Sequence, residues 1–242
     1  MKLHGRIALV TGAGHRLGRA LAVALGKEGM RVGVHYNAAN DEAKLTASLV
    51  EQAGGTATLF KKNLMDATAP RELVDEVADA MGPLAVVVNS AAIMARTPMG
   101  EVTVEQWDEM FSLNLRAPFF ISQAAAKRME SEGSIINIAD LAAFESWPAF
   151  VPHSISKAGI VKMTAALARV LAPSIRVNGI APGAVLPPVG WDEATSKRFA
   201  AATPLGRLGD PSDVVDAMLY LLRADYVTGE TLVVDGGRRI RL

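Results

Sequence analysis

The chain contains no cysteine. Disulfides and thiolate chemistry are therefore excluded, a composition that fits a reducing cytoplasm. It has no excess of either charge, with 25 Lys and Arg against 25 Asp and Glu. That balance gives no electrostatic reason to expect nucleic acid or an anionic membrane as a partner. No apolar run reaches the roughly 18 residues needed to span a bilayer. The first strand begins within a few residues of Met1, which leaves no room for a signal peptide, so a cytoplasmic location is expected. Internal repeats, linkers and low-complexity segments are absent, and no metal site is expected. The short basic tip of Arg238, Arg239 and Arg241 reads as a solvated or subunit-facing tail rather than an anion site.

What is present is a large apolar reserve. Half of the 242 residues are hydrophobic, enough for the core of one α/β domain over residues 1–242. The stretch Arg6–Gly18 organises the rest. Ile7 to Val10 is an apolar run suited to a buried parallel strand. Thr11-Gly12-Ala13-Gly14 is a glycine-rich turn that lets a ligand approach the backbone. Leu17, Ala20, Leu21, Ala24 and Leu25 then recur at helical spacing. Strand, turn and helix in that order form a phosphate cradle, because a helix N-terminus offers unpaired N–H groups and a partial positive charge.

Strand candidates follow at Arg31–His35, Thr56–Phe60, Leu84–Asn89, Ser134–Ala139, Ile175–Ile180 and Thr231–Val234, alternating with helical patterns. Thr103 and Gln106 form a capping box. A helix is expected from about Lys157 to Leu171, ending before Pro173. Asp210 can cap a helix with Pro211 at its first position. Pro182–Pro204, with Pro187-Pro188 inside it, carries no confident element and reads as a loop over a site. The alternation predicts an α/β, doubly wound parallel sheet of about seven strands with helices on both faces. Ligands of such sheets bind at the carboxyl ends of the strands. That rule gathers Thr11–Arg16, His35–Asn37, Asn63, Asn89–Ala91, Asp140 and Pro182-Gly183 around one crevice.

Several of these segments match a known pattern in order. Thr11-Gly12-Ala13-Gly14-His15-Arg16-Leu17-Gly18, Asn89-Ser90-Ala91-Ala92, Lys157, Pro182-Gly183 and Asp235-Gly236-Gly237 correspond to TGxxxGxG, NNAG, YxxxK, PG and DGG. Asn114 falls at a mid-helix asparagine. Over nearly its whole length the chain resembles the short-chain dehydrogenase/reductase family. The resemblance implies a Rossmann-type fold, a nicotinamide dinucleotide, a small-molecule substrate, and a homotetramer or homodimer. Assembly would use the helices containing Asn114 and Lys157 and the strand Thr231–Val234.

Three positions depart from the family pattern. Arg16 replaces the middle glycine of the first motif. Asp140 stands at the catalytic serine. His153 stands at the catalytic tyrosine, four residues before Lys157. The first two departures resemble the pteridine reductase branch, and Asp235-Gly236-Gly237-Arg238 resembles its bacterial dihydromonapterin and dihydrofolate reductase members. That branch keeps the tyrosine. The three tyrosines here are Tyr36, Tyr220 and Tyr226, and none lies near Lys157 in sequence.

The resemblance implies cofactor contacts from Gly12, Gly14, His15, Arg16, Leu17 and Gly18, from His35, Tyr36 and Asn37, and from Asn63 and Leu64. Asn89, Ala91, Lys157, Pro182, Gly183 and Val185 complete the set, Val185 through its backbone, while Ile93 supplies packing. No carboxylate follows the second strand until Asp41, so nothing repels a 2′-phosphate and NADP is favoured over NAD. Arg16, His15 and His35 could meet that phosphate. The alternative for Arg16 is a solvated helix-start residue, and the alternative for His35, of equal weight, is a neutral strand-end histidine.

In the family, tyrosine is the acid, lysine lowers its pKa and holds ribose, and asparagine positions a water relay. Here the catalytic set becomes Asn114, Asp140, His153 and Lys157. Imidazole titrates near the operating range of a general acid, at about 6.5. Lys157 would disfavour imidazolium and Asp140 would favour it. Either the His153–Asp140 pair or Asp140 alone delivers the proton. The expected activity is NADPH-dependent reduction of a C=O or pterin-like C=N bond. The alternative is an NADP(H)-binding module without turnover. Ser154 and Ser156 read as structural, and Met94, Met99, Phe144, Trp147, Phe150, Val185 and Trp191 as a candidate apolar wall.

Overall fold

The computed structural model describes residues 1–186 and 192–240, apart from the side chain of Ser131. Seven parallel strands run through it: β1 (Ile7–Val10), β2 (Arg31–Tyr36), β3 (Thr56–Lys61), β4 (Leu84–Asn89), β5 (Met129–Ile138), β6 (Ile175–Pro182) and β7 (Thr231–Val234). Successive strand residues point to opposite faces, and both faces are covered. Ala8, Val10, Val32, Val34, Val86, Val88 and Ile136 join one buried cluster. Ile7, Leu9, Val87, Ile135 and Val177 join the other. The helices divide between the faces. α1 (Arg16–Lys27), α2 (Asn40–Gln52) and α8 (Pro211–Arg223) cover the first, and α3 (Ala69–Met81), α5 (Ala117–Arg128) and α6 (Val151–Leu171) the second.

Spatial order is β3-β2-β1-β4-β5-β6-β7. The chain reverses its direction of growth between β1 and β4, so the crevice opens at their carboxyl ends. Thr11 joins the two sides there. Its Oγ1 accepts the N–H groups of Ser90 and Ala91 at 3.0 and 3.1 Å. The arrangement is a single-domain Rossmann-type fold.

The expected capping box at Thr103 and the expected cap at Asp210 both form, and Asp210 also completes a capping box with Asp213. Thr103 opens α4 (Val104–Phe111) and Asp210 opens α8. Two expectations need correction. α6 starts at Val151 rather than near Lys157, because Pro152 lies in the first turn, where its missing N–H costs no hydrogen bond. His153 and Lys157 therefore ride one face of one helix. The 182–204 stretch is not all loop. Asp192 accepts from Thr195 N–H at 2.7 Å and starts α7 (Glu193–Ala201). That helix buries no residue, so no apolar stripe announced it. Pro187, Pro188, Trp191 and Arg241 lie outside the described residues.

Candidate active site

The glycine turn is shaped by close approaches. Gly12 has φ +64°, and a Cβ there would lie 2.8 Å from Ala91 Cα. Gly18 packs against the Gly12 carbonyl with no room for a side chain. Arg16 adopts φ +51°, a left-handed conformation that costs a non-glycine residue about 1 kcal/mol. Its guanidinium donates to the Leu186 carbonyl at 3.2 Å, joining the turn to the segment beyond β6. His15 is the N-cap of α1 and supplies no side-chain hydrogen bond to the helix. His15 thus leaves the Leu17 and Gly18 amides uncapped by its side chain, an arrangement that suits an incoming acceptor.

His35 lies elsewhere than expected. Its ring is 2% exposed. Nδ1 accepts the Gly12 N–H at 3.1 Å, and Nε2 lies 3.0 Å from the Lys62 carbonyl. Burial holds its pKa down at about 4, against the opposing pull of that carbonyl. With both nitrogens engaged, the ring is neutral and is not a cationic phosphate contact. Of the residues expected beside a 2′-phosphate, His15 and Arg16 remain exposed, as does Asn37 after β2. The Tyr36 hydroxyl donates to Asn40 at 2.9 Å. Asn63 closes a local turn by accepting from Met65 N–H and donating to Asp66. Leu64 is buried beside it.

Across the crevice, Asn89 is buried and donates to Asn137 at 2.8 Å, and Asn137 donates to Thr164 at 3.0 Å. Asn89 Oδ1 is buried and has no partner among the described residues. An orphaned acceptor costs free energy unless a donor reaches it, so this atom fits a ligand hydroxyl. Gly183 follows Pro182 at the end of β6 and donates to Val234 O at 2.8 Å. Val185 belongs to the core beneath α8, so its side chain is not part of the apolar wall. Met94 and Met99 are exposed.

The proton-handling residues converge on Ile93, whose backbone is more important than its packing. Asn114 sits in a π-helical turn, Ser112–Arg116, between α4 and α5. Its amide grips Ile93 twice, Oδ1 accepting from the N–H and Nδ2 donating to the carbonyl, each at 2.9 Å. The same carbonyl lies 3.3 Å from His153 Nδ1. His153 is 2% exposed, and its Nε2 faces Asp140 Oδ2 at 3.5 Å. The other Asp140 oxygen accepts from Ala142 N–H at 2.9 Å, capping a short 3-10 turn. Lys157 is buried and donates to the Ile138 carbonyl at 2.9 Å. Burial lowers its pKa to about 8, with Asp140 pulling the other way.

Sequence reasoning missed four contacts here. Trp147 lies nearly parallel to the His153 ring, at 17° with centroids 6.4 Å apart. Its indole N–H donates to Glu145 at 2.8 Å. The basic tail is not simply solvated, since Arg239 stacks over Phe144 and Arg238 over Phe199 of α7. Only the Glu145-x-Trp147 spacing hinted at any of this, and a backbone hub such as the Ile93 carbonyl leaves no side-chain signature.

Comparison with known proteins identifies the family. Residues 12–239 match the family described as enoyl-(acyl carrier protein) reductase. The chain is 34% identical over 245 residues to 3beta-hydroxysteroid dehydrogenase 1 of Eggerthella lenta, covering 97% of this chain and 94% of that protein. Among solved structures, FolM alternative dihydrofolate reductase 1 from Brucella canis, complexed with NADP, has a TM-score of 0.93 at 28% identity, covering 100% of this chain and 96% of that one. The angucycline C-6 ketoreductase LanV with bound NADP gives 0.92 at 30% identity, over 99% and 98% of the two chains. Fold, motif order and these likenesses lead to one conclusion: the chain belongs to the short-chain dehydrogenase/reductase superfamily of oxidoreductases.

Proposed function

We propose that the protein is an NADPH-dependent reductase of a carbonyl or pterin-like C=N bond in a small molecule, with Asp140 and His153 supplying the proton. NADP(H) is the cofactor. The solved relatives that carry it support this, as do the uncapped first turn of α1, the orphaned Asn89 Oδ1 and the missing carboxylate after β2. In this reading the turn Gly12–Gly18 holds the pyrophosphate, His15, Arg16 and Asn37 face the 2′-phosphate, and Asn63 and Leu64 border the adenine. Asn89, Ala91, Lys157, Pro182, Gly183 and the Val185 backbone flank the nicotinamide riboside. When bound, the cofactor supplies the hydride.

The observation that carries the proposal is the pairing around His153. A carbonyl oxygen can only accept, so Ile93 requires the proton of the ring to sit on Nδ1. Nε2 then presents a lone pair to a carboxylate oxygen. Two acceptors face each other unless one proton lies between them. In this reading one acidic proton bridges Asp140 Oδ2 and His153 Nε2, a nitrogen with no hydrogen-bond partner among the described residues. The 3.5 Å spacing is long for a hydrogen bond, as catalytic contacts often are before substrate tightens them. Lys157 stands one helical turn beyond His153 on the same helix. The shared proton passes to the substrate oxygen or nitrogen, and the Asn114 amide holds Ile93, and with it the ring, in place.

NADPH oxidation measured with a dihydropterin, dihydrofolate and small ketones tests this. Turnover is expected with at least one class, falling about 100-fold or more in Asp140→Asn and His153→Ala, with NADPH still bound. An unchanged rate in both variants, or coenzyme binding without any turnover by the wild type, rules it out. The second outcome would leave an NADP(H)-binding module.

Assembly is expected through two faces. An apolar groove of about 490 Å³ lined by Phe111, Leu115, Phe119, Phe120, Met163 and Leu167 opens along α5 and α6, and β7 forms the sheet edge. These features favour a homotetramer or homodimer.

A further inference from the structure

His35 stands outside the proton-handling site, yet it is among the most tightly tethered polar side chains in the crevice. Both of its ring contacts go to backbone. The Lys62 carbonyl can only accept, so Nε2 carries the ring proton. Nδ1 is then an acceptor, which is what the Gly12 N–H requires at 3.1 Å. The two assignments agree, and one neutral tautomer satisfies both. The backbone of His35 adds a third tie, its carbonyl accepting from Ala13 N–H at 2.9 Å. Gly12 and Ala13, which begin the turn, are thus both pegged to one residue of β2. Beyond Lys62 the chain enters the local turn of Asn63 and buries Leu64.

We propose that His35 is a positioning residue for the dinucleotide, a neutral strut that fixes the start of the phosphate turn against the rim at the end of β3. The inference rests on the cofactor reading but not on the chemistry assigned to His153. No carboxylate takes part in the strut. The Lys62 ammonium turns away to Glu72 and Glu76, and the partner of His35 across the β2–β3 ladder is Phe60. Protonating Nδ1 would aim one N–H at another, so the strut works only while the ring is neutral. Gly12 has little room to move toward Ala91, since even a Cβ on it would lie 2.8 Å from Ala91 Cα.

The test compares His35→Phe, His35→Asn and His35→Gln in the full chain. Binding of NADPH, NADH and adenosine 2′,5′-bisphosphate is measured by calorimetry, and exchange of the Gly12 amide by NMR. His35→Phe should weaken all three ligands by about tenfold, the cost of orphaning a buried amide, and should speed Gly12 exchange. His35→Asn places Oδ1 near the position of Nδ1 and should recover most of the affinity, whereas His35→Gln should not. If His35→Phe fails to fold, the contrast between Asn and Gln decides. Wild-type affinity in His35→Phe, equal affinity in the Asn and Gln variants, or a loss confined to NADPH and the bisphosphate while NADH is untouched would overturn the strut. The last result would make His35 a direct phosphate contact. Gly12 exchange needs no ligand, so slow exchange in a wild type that binds no coenzyme would refute the cofactor reading and keep the strut. Fast wild-type exchange would refute the strut itself.

Discussion

Two buried histidines face the same crevice and are equally hidden from solvent, yet they are wired differently. His35 gives both nitrogens to backbone groups, one donor and one acceptor. Its hydrogen bonds are complete, and no proton can be added without breaking one. His153 gives one nitrogen to a carbonyl and turns the other toward a carboxylate. In the proposed mechanism that second nitrogen shares one transferable proton with Asp140, which is what an acid catalyst needs. Burial therefore does not separate a structural histidine from a chemical one. The count of donors and acceptors around the ring does.

Acid titration puts the contrast under most strain. The folded-state pKa of His35 is lowered to about 4, below the unfolded value of about 6.5. The unfolded chain binds that proton first, so stability declines as pH falls from about 6.5 toward 4. The contribution at stake is roughly 3 kcal/mol. Urea titrations across this range should show the slope in wild type and in His153→Ala, and a much shallower one in His35→Asn. A slope that followed His153 instead would mean the two rings had exchanged roles.

A smaller effect concerns the charge beside His153. Lys157 loses its proton as pH rises through about 8, where a solvated lysine would stay charged. NADPH affinity should drop about tenfold between pH 7 and 9, and Lys157→Met should bind weakly and without that pH dependence. A pH-independent wild type would remove Lys157 from the ribose site.

The smallest expected change comes from Trp147→Leu. Losing the stacked indole should loosen the ring and lower kcat about fivefold with KM for NADPH unchanged. Trp147→Phe should restore most of it. Equal losses in the Leu and Phe variants would show that the stack contributes only to folding.

The sequence made the β1–α1 half of the site easy to read. Gly12, Gly18 and the apolar run before them dictate a turn and a helix by local rules, and β1 and β4 came out at their expected bounds. The other half depends on what meets what at long range. Nothing local to Arg31–Tyr36 says that His35 will be sealed beneath the Gly12 amide, or that Val185 will sink into the core. α6 begins at Val151, ahead of its expected start near Lys157, and Pro152 occupies the one turn that tolerates proline. Asp140 and His153 are paired in the sequence only through the family resemblance, and the Ile93 carbonyl beside Nδ1 has no trace there at all. Every residue has a carbonyl, and only the fold says which one matters.

The widened turn at Ser112–Arg116 has an implication for how this site can change. A π turn holds one more residue than an α turn over the same span. Deleting a single residue there would restore regular winding and swing the Asn114 amide about 100° around the axis, off the Ile93 backbone. No side-chain exchange at the surface of that helix could reproduce the loss or repair it. The grip of Asn114 on Ile93 is written partly in chain length, and a search for damaging changes should include deletions as well as replacements.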